Sequence, residues 1–107
     1  MKVLITGASG LIGGRLSHYL ASKGFIVVKA SRKKDFSPKI NWASNSKLES
    51  LCKNIDVVIN CSGFDVHQSK DEKKTNLINA EYPKRLFKAA NKNNVKLFIF
   101  LSTYHVY

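Results

Sequence analysis

The chain has 107 residues, 44% of them hydrophobic, with 18 Lys and Arg against 7 Asp and Glu for a formal net charge of +11. That length gives one domain with room for a real core, and no apolar run approaches the length of a membrane span. The lysines are scattered and not interleaved with aromatics on one face, so the charge reads as a solvated surface that attracts polyanionic nucleotides, not as a nucleic-acid interface.

Val3, Leu4 and Ile5 form a short apolar run of the kind a buried parallel strand shows. Gly7, Gly10 and Gly13 follow at spacing three, and a helical pattern starts straight after them. Gly7 allows the tight turn out of the strand, Gly10 lets backbone approach a ligand, and Gly13 permits close packing of helix on sheet. The first helical turn offers unpaired N–H groups and the positive end of the helix dipole to phosphate oxygens. The segment therefore predicts a pyrophosphate site. Its spacing is G-x-x-G-x-x-G, not G-x-G-x-x-G, and no Gly-Lys-Ser/Thr follows, which excludes a P-loop.

Residues 11–23 read as an amphipathic helix with Ile12, Leu16 and Leu20 on one stripe, closed by Gly24. Residues 25–28 predict the second strand, and residues 31–39 a polar, basic loop ending in Ser37-Pro38. Ile40 and its neighbours form a short third strand. Ser46, with Glu49 three residues later, predicts a capped helix running to about Lys53. Residues 55–61 are a fourth strand and residues 62–72 a loop. A helix over residues 76–91 places Leu86, Ala89 and Ala90 near one face, and Pro83 bends it or marks its start. Residues 95–101 are a fifth, almost wholly apolar strand. Strands separated by helices demand right-handed parallel crossovers. The expected fold is α/β, a Rossmann-type doubly wound parallel sheet of order 3-2-1-4-5. Cys52 and Cys61 have no metal-ligand spacing, no metal site is expected, and without a secretory signal they read as reduced thiols of a cytoplasmic protein.

In such a sheet the ligand lies at the carboxyl ends of the strands. The second strand ends in Lys29-Ala30-Ser31-Arg32-Lys33-Lys34. An NAD-specific site usually has an acidic side chain here for the ribose 2′-OH; this chain has Ser31 and three following cations. Arg32 can pair bidentately with a phosphate and Ser31 can donate to it. This favours NADP, with NAD kept open; Asp35 weighs slightly against it, and the alternative is an ordinary basic surface loop.

Thr6-Gly7-Ala8-Ser9-Gly10-Leu11-Ile12-Gly13 resembles the TGxxGxxG motif of the short-chain dehydrogenase/reductase superfamily. Its extended branch comprises NAD(P)-dependent epimerases, dehydratases and reductases of nucleotide sugars. The resemblance implies that Gly7, Ser9, Gly10, Leu11, Ile12 and Gly13 line the cofactor's pyrophosphate. It places Asn41 and Trp42 at the adenine, although the family more often has Asp at the first position, and Trp42 reads equally as core. Asn60-Cys61-Ser62-Gly63 is similar to the small-residue stretch passing under the cofactor, which brings in Cys61, Ser62 and Gly63. Asn79 matches a helix asparagine that steadies the central strands; the alternative is an exposed amide. The strand ending in Ser102-Thr103-Tyr104-His105-Val106-Tyr107 is similar to S-[ST]-x-x-V-Y-G, which makes Thr103 the catalytic hydroxyl that orients the substrate oxygen. Tyr107 is not the family's catalytic Tyr, and His105 is more simply incidental.

That catalytic Tyr belongs to a Y-x-x-x-K motif in which Lys lowers the Tyr pKa. The letters occur here only at Tyr19 and Lys23, inside the phosphate-binding helix. The chain is therefore expected to be the N-terminal half of a longer enzyme, a dinucleotide binder with little turnover of its own. The bare edge of residues 97–101 is expected to pair with another chain, giving a homodimer or edge-strand association. The expected function is the NAD(P)-binding portion of an oxidoreductase, epimerase or dehydratase acting on a nucleotide sugar by hydride transfer. The alternative is a non-catalytic dinucleotide-binding or regulatory module.

Overall fold

The structure, a computed structural model, describes residues 1–31, 33, 38–61 and 81–101. The chain runs β1 (Lys2–Thr6), α1 (Leu11–Ser22), β2 (Ile26–Ala30), α2 (Asn45–Leu51), β3 (Val57–Asn60), α3 (Tyr82–Lys92) and β4 (Leu97–Phe100). All paired strands are parallel, in the order β2-β1-β3-β4. The chain steps outward from β1 to β2 and then crosses to β3 on the other side. The switch point therefore falls between the carboxyl ends of β1 and β3.

Alternation along the strands divides the core into two layers. Leu4 and Val58 pack with Leu48 and Cys52 near α2 and with Leu86, Ala89 and Ala90 of α3. Val3, Ile5, Val57 and Ile59 point the other way, where Leu16 and Leu20 of α1 cover them. Both central strands are thus buried on two faces, which is why they read as unbroken apolar runs.

Several elements depart from the expected pattern. The third strand is a single parallel bridge, Ser31 to Lys39, with the Ile40 N–H donating to the Ser31 carbonyl at 2.9 Å. Pro38 has no N–H to extend the ladder backwards. On the other side, Asn41 Oδ1 accepts from the Ala43 N–H at 3.0 Å and turns the chain away. Among the described residues the order 3-2-1-4-5 therefore becomes four strands with a bridge at the β2 side. The second strand begins at Ile26 and not at Phe25, and β3 and β4 are shorter than the apolar runs that contain them.

The cap of α2 is Ser44, not Ser46. Ser44 has extended backbone (φ −114, ψ 110) and its Oγ accepts from the Lys47 N–H, whereas Ser46 already lies inside the helix. The residue at the reciprocal position is Lys47, so no capping box forms. In α1 the expected stripe is also revised. Leu16 and Leu20 pack on the sheet, but Ile12 is 56% exposed, and the residues fully buried are Gly13 and Ser17.

The exits of α1 and α3 share one geometry. After α1, Gly24 has φ +90, its N–H reaches the Ala21 carbonyl, and the Phe25 N–H reaches Leu20. This is a Schellman turn, and it commits Phe25 to the helix exit. After α3, Asn94 (φ 56) repeats it, with Val95 N–H on the Ala90 carbonyl at 3.1 Å. Pro83 is the second residue of α3, next to Tyr82 and after Glu81, whose backbone is itself helical (φ −71, ψ −44).

Candidate functional site

The carboxyl ends of β1 and β3 are fastened to each other by side chains. Thr6 and Asn60 are register partners, both fully buried, and Thr6 Oγ1 donates to Asn60 Oδ1 at 2.6 Å. The Cys61 N–H donates to the Thr6 carbonyl at 2.9 Å and the Leu101 N–H to the Asn60 carbonyl at 3.0 Å. The switch point therefore has a rigid floor. In the sequence Thr6 and Asn60 enter only as the first residues of two motif stretches, with no role of their own. The available signal was a polar residue closing each of two buried apolar strands.

The glycine loop rises from this floor, and its three glycines do different work. Gly7 has φ +72, a conformation that side chains with a Cβ rarely adopt. At Gly13 a Cβ would sit 2.3 Å from the Gly7 carbonyl oxygen, so α1 packs against the turn only because the position is bare. Gly10 differs from both. Its backbone (φ −79, ψ 169) suits any residue, and a Cβ there would lie 3.4 Å from the Gly7 oxygen, an ordinary contact.

Above Gly10 the first turn of α1 is open. The first helical bond is Gly14 N–H to the Gly10 carbonyl at 2.9 Å, so the N–H groups of Leu11, Ile12 and Gly13 have no intrahelical acceptor. No side chain caps the helix and its first turn holds no acidic residue. Ser9, Gly10, Leu11 and Ile12 are exposed around it. A donor cluster at the positive end of a helix dipole suits a phosphate oxygen.

At the end of β2, Ser31 is only 2% exposed. Its Oγ lies 2.9 Å from Ser9 Oγ and accepts from the Lys33 N–H at 3.2 Å. The Ser31 hydroxyl is thus engaged inside the protein, and Ser9 is the exposed member of the pair. The Ala8 N–H donates to the Ala30 carbonyl at 3.2 Å, a second tie between glycine loop and β2.

Trp42 is 6% exposed and stacks on Tyr82 of α3, with ring centroids 5.0 Å apart and planes 3° from parallel. Its carbonyl accepts from Arg85 Nη1 at 3.2 Å. Of its two readings, this is the core placement. Neighbouring Asn41 is exposed, with its Oδ1 turned to its own loop. Cys61 is half-buried and burial raises its thiol pKa; Cys52 is fully buried and its thiol is pushed up to about 11. Arg32, Ser62, Gly63, Asn79, Thr103, His105 and Tyr107 lie outside the described residues. Tyr19 and Lys23, which spell Y-x-x-x-K, sit at the far end of α1 from Gly10, with Lys23 Nζ 5.6 Å from the centroid of the Tyr19 ring. Among the described residues no group of His, Cys, Asp and Glu could hold a metal ion, and no helix is long and apolar enough to cross a membrane.

Residues 3–107 match the family model described as the NAD dependent epimerase/dehydratase family. Over 108 aligned residues the chain is 31% identical to a dTDP-4-dehydrorhamnose reductase of Mycolicibacterium smegmatis, covering 99% of this chain and 31% of the reductase. Among solved structures it is similar to MoeE5 in complex with UDP-glucose and NAD (26% identity, TM-score 0.81), covering 94% of this chain and 36% of that one. It is also similar to UDP-glucose 4-epimerase from Bifidobacterium longum in complex with NAD+ and UDP (25% identity, TM-score 0.81), covering 95% and 37%. The chain thus spans about a third of the length of the proteins it matches.

Proposed function

The chain belongs to the NAD dependent epimerase/dehydratase family, and from that premise we propose that it is the cofactor-binding portion of an enzyme that acts on a nucleotide sugar. One observation carries the reading: the uncapped first turn of α1 opens over Gly10, the one glycine of the loop that the protein's own packing does not require. The N–H groups of Leu11, Ile12 and Gly13, together with the exposed Ser9 hydroxyl, would hold the cofactor's pyrophosphate. The similarity to structures holding NAD with UDP-glucose or UDP supports a nicotinamide dinucleotide and a nucleotide sugar as ligands.

NADP is the preferred cofactor in this reading. In sequence the residue after β2 is Ser31 and not an acid, and Arg32 and Lys33 follow it, with Asp35 further on. The 2′-phosphate then falls to Arg32, since the Ser31 hydroxyl is engaged with Ser9 and Lys33. A bound nicotinamide supplies hydride exchange with a sugar carbon. The chain's own share is to fix the pyrophosphate over the Thr6–Asn60 floor and, through Thr103, to hydrogen-bond the substrate oxygen. Ser62, Gly63, Asn79 and Asn41 belong to the same proposal on the resemblance alone. Cys52 and Cys61 pack in different layers of the core, which fits reduced thiols and a cytoplasmic setting. Association through β4 fits its exposed Leu97 and Phe100.

Calorimetric titration with NADP+ and NAD+, repeated on Arg32→Asp, tests the reading. NADP+ binds more tightly to the parent chain, and the substitution reverses the order. Amide resonances of residues 9–13 that do not move under millimolar cofactor overturn the pyrophosphate assignment. An unchanged preference in Arg32→Asp overturns only the 2′-phosphate assignment.

A further inference from the structure

Away from the glycine loop, a groove of about 440 Å3 runs between α2 and α3. It shares no residue with Gly7–Gly13, Ser31 or Cys61. One wall is α3, whose eleven residues carry Lys84, Arg85, Lys88 and Lys92 and no acid. At about 100° per residue these four fall within one arc of about 100° on the helix. The opposite arc, with Leu86, Ala89 and Ala90, is buried in the core.

Within the described residues this arc is balanced only in part. The groove contains two carboxylates against the four cations. Glu49 of α2 is already paired with Lys92 at 2.8 Å, which raises the Lys92 pKa through the hydrogen bond and the charge. Glu81 lies a turn before Lys84. Lys84 and Lys88, four residues apart, repel each other along the helix, a cost that an opposing row of anions would remove. Arg85 keeps one guanidinium nitrogen on the Trp42 carbonyl, which orients the rest of its fork.

We propose that this groove is an interaction surface for an acidic, helical segment of another polypeptide. The length of the cationic row favours that occupant. Lys84 to Lys92 spans about 12 Å, more than a single phosphate or carboxylate bridges; with Lys92 held by Glu49, Lys84 and Lys88 match acidic side chains repeated at i and i+4. The floor favours it too: exposed Ala43 is small and lets a second helix approach closely. A single-stranded nucleic acid fits less well. The aromatic pair at the groove's end is closed on itself, with Trp42 buried against Tyr82, and offers no free ring face for a base.

The test is fluorescence anisotropy of the whole chain with a labelled Glu/Ala helix-forming peptide of about a dozen residues. Lys84→Glu with Lys88→Glu is compared with Lys23→Glu with Lys53→Glu, an equal charge change at exposed sites outside the groove. Saturable binding that falls at least about tenfold in the first pair and under about twofold in the second is the expected result. Cofactor affinity stays unchanged in both pairs. If the groove pair unfolds, Lys84→Gln with Lys88→Gln replaces it. Equal losses in the two pairs mean attraction to net charge alone and overturn the proposal. Absence of saturable binding overturns it as well, and so does displacement of the peptide at equal concentration by a thymidine oligonucleotide or by pyrophosphate.

Discussion

The hydroxyls of Ser9 and Ser31 lie 2.9 Å apart, joining the glycine loop to the carboxyl end of β2 across 22 residues. Ser31 Oγ also accepts from the Lys33 N–H, so when Ser31 donates to Ser9, the Ser9 hydrogen is released toward the exposed side. Ser31 thus acts as a strut and Ser9 as the group a ligand meets. Ser31→Ala is expected to cost about 1–2 kcal/mol, because it removes both bonds at a buried position. Ser9→Ala, at an exposed position, costs under about 1 kcal/mol. Denaturant midpoints of the two variants check the difference; equal losses contradict the strut.

Gly10 and Gly13 separate ligand from packing. Gly13→Ala places a methyl 2.3 Å from the Gly7 carbonyl oxygen, and neither backbone can yield without moving α1 off the sheet. A loss of about 3 kcal/mol or more is expected. Gly10→Ala has ordinary space and costs under about 1 kcal/mol, chiefly as a poorer N-cap. Its expected effect falls on cofactor affinity. Thermal unfolding and cofactor titration of both variants must therefore rank them in opposite orders.

The same loop shows what the residues announced and what they concealed. Gly7, Gly13 and Gly24 were legible because each position has one dominant physical reason, a left-handed turn or a close approach. Ile12 was misplaced because period alone cannot tell a core stripe from the rim of a helix start, where the chain has not yet reached the sheet. Phe25 looked like strand, yet its N–H is spent closing α1. Ser46 and Ser44 are chemically equal as caps, and backbone conformation alone chooses between them. Ser31 was assigned to the ligand because its hydroxyl type was visible and its burial was not. Thr6 and Asn60 were quoted in their motifs, but their pairing passed unnoticed since it spans 54 residues and exists only in register.

Trp42 anchors the segment that replaces the third strand. Its ring lies on Tyr82 at 5.0 Å and its carbonyl holds Arg85, so one residue ties the loop to α3 twice. Trp42→Ala is expected to cost about 3–5 kcal/mol and to erase the near-ultraviolet circular dichroism of the stacked pair. Tyr82→Leu, which keeps apolar volume but removes the stacked ring, costs less, about 1–2 kcal/mol. A Trp42→Ala variant as stable as the parent would mean that the indole is not part of the core.

Cys52 makes stability depend on alkaline pH. It is fully buried in the layer under α2 and α3, and desolvation raises its thiol from 9.0 to about 11. The unfolded chain releases this proton near pH 9, the folded chain only near 11. Below pH 9 both states hold the proton and the group has no effect on stability. Between pH 9 and 11 the unfolded state binds fewer protons, so stability falls as pH rises, by up to about 2 kcal/mol from this group. Other groups also titrate in that range, and the comparison with Cys52→Ala isolates the thiol: the variant starts lower through its small cavity but declines less steeply above pH 9. Urea midpoints of both proteins from pH 8 to 11 measure the two slopes, and parallel curves would show that the Cys52 thiol ionises as readily in the folded chain as in the unfolded one.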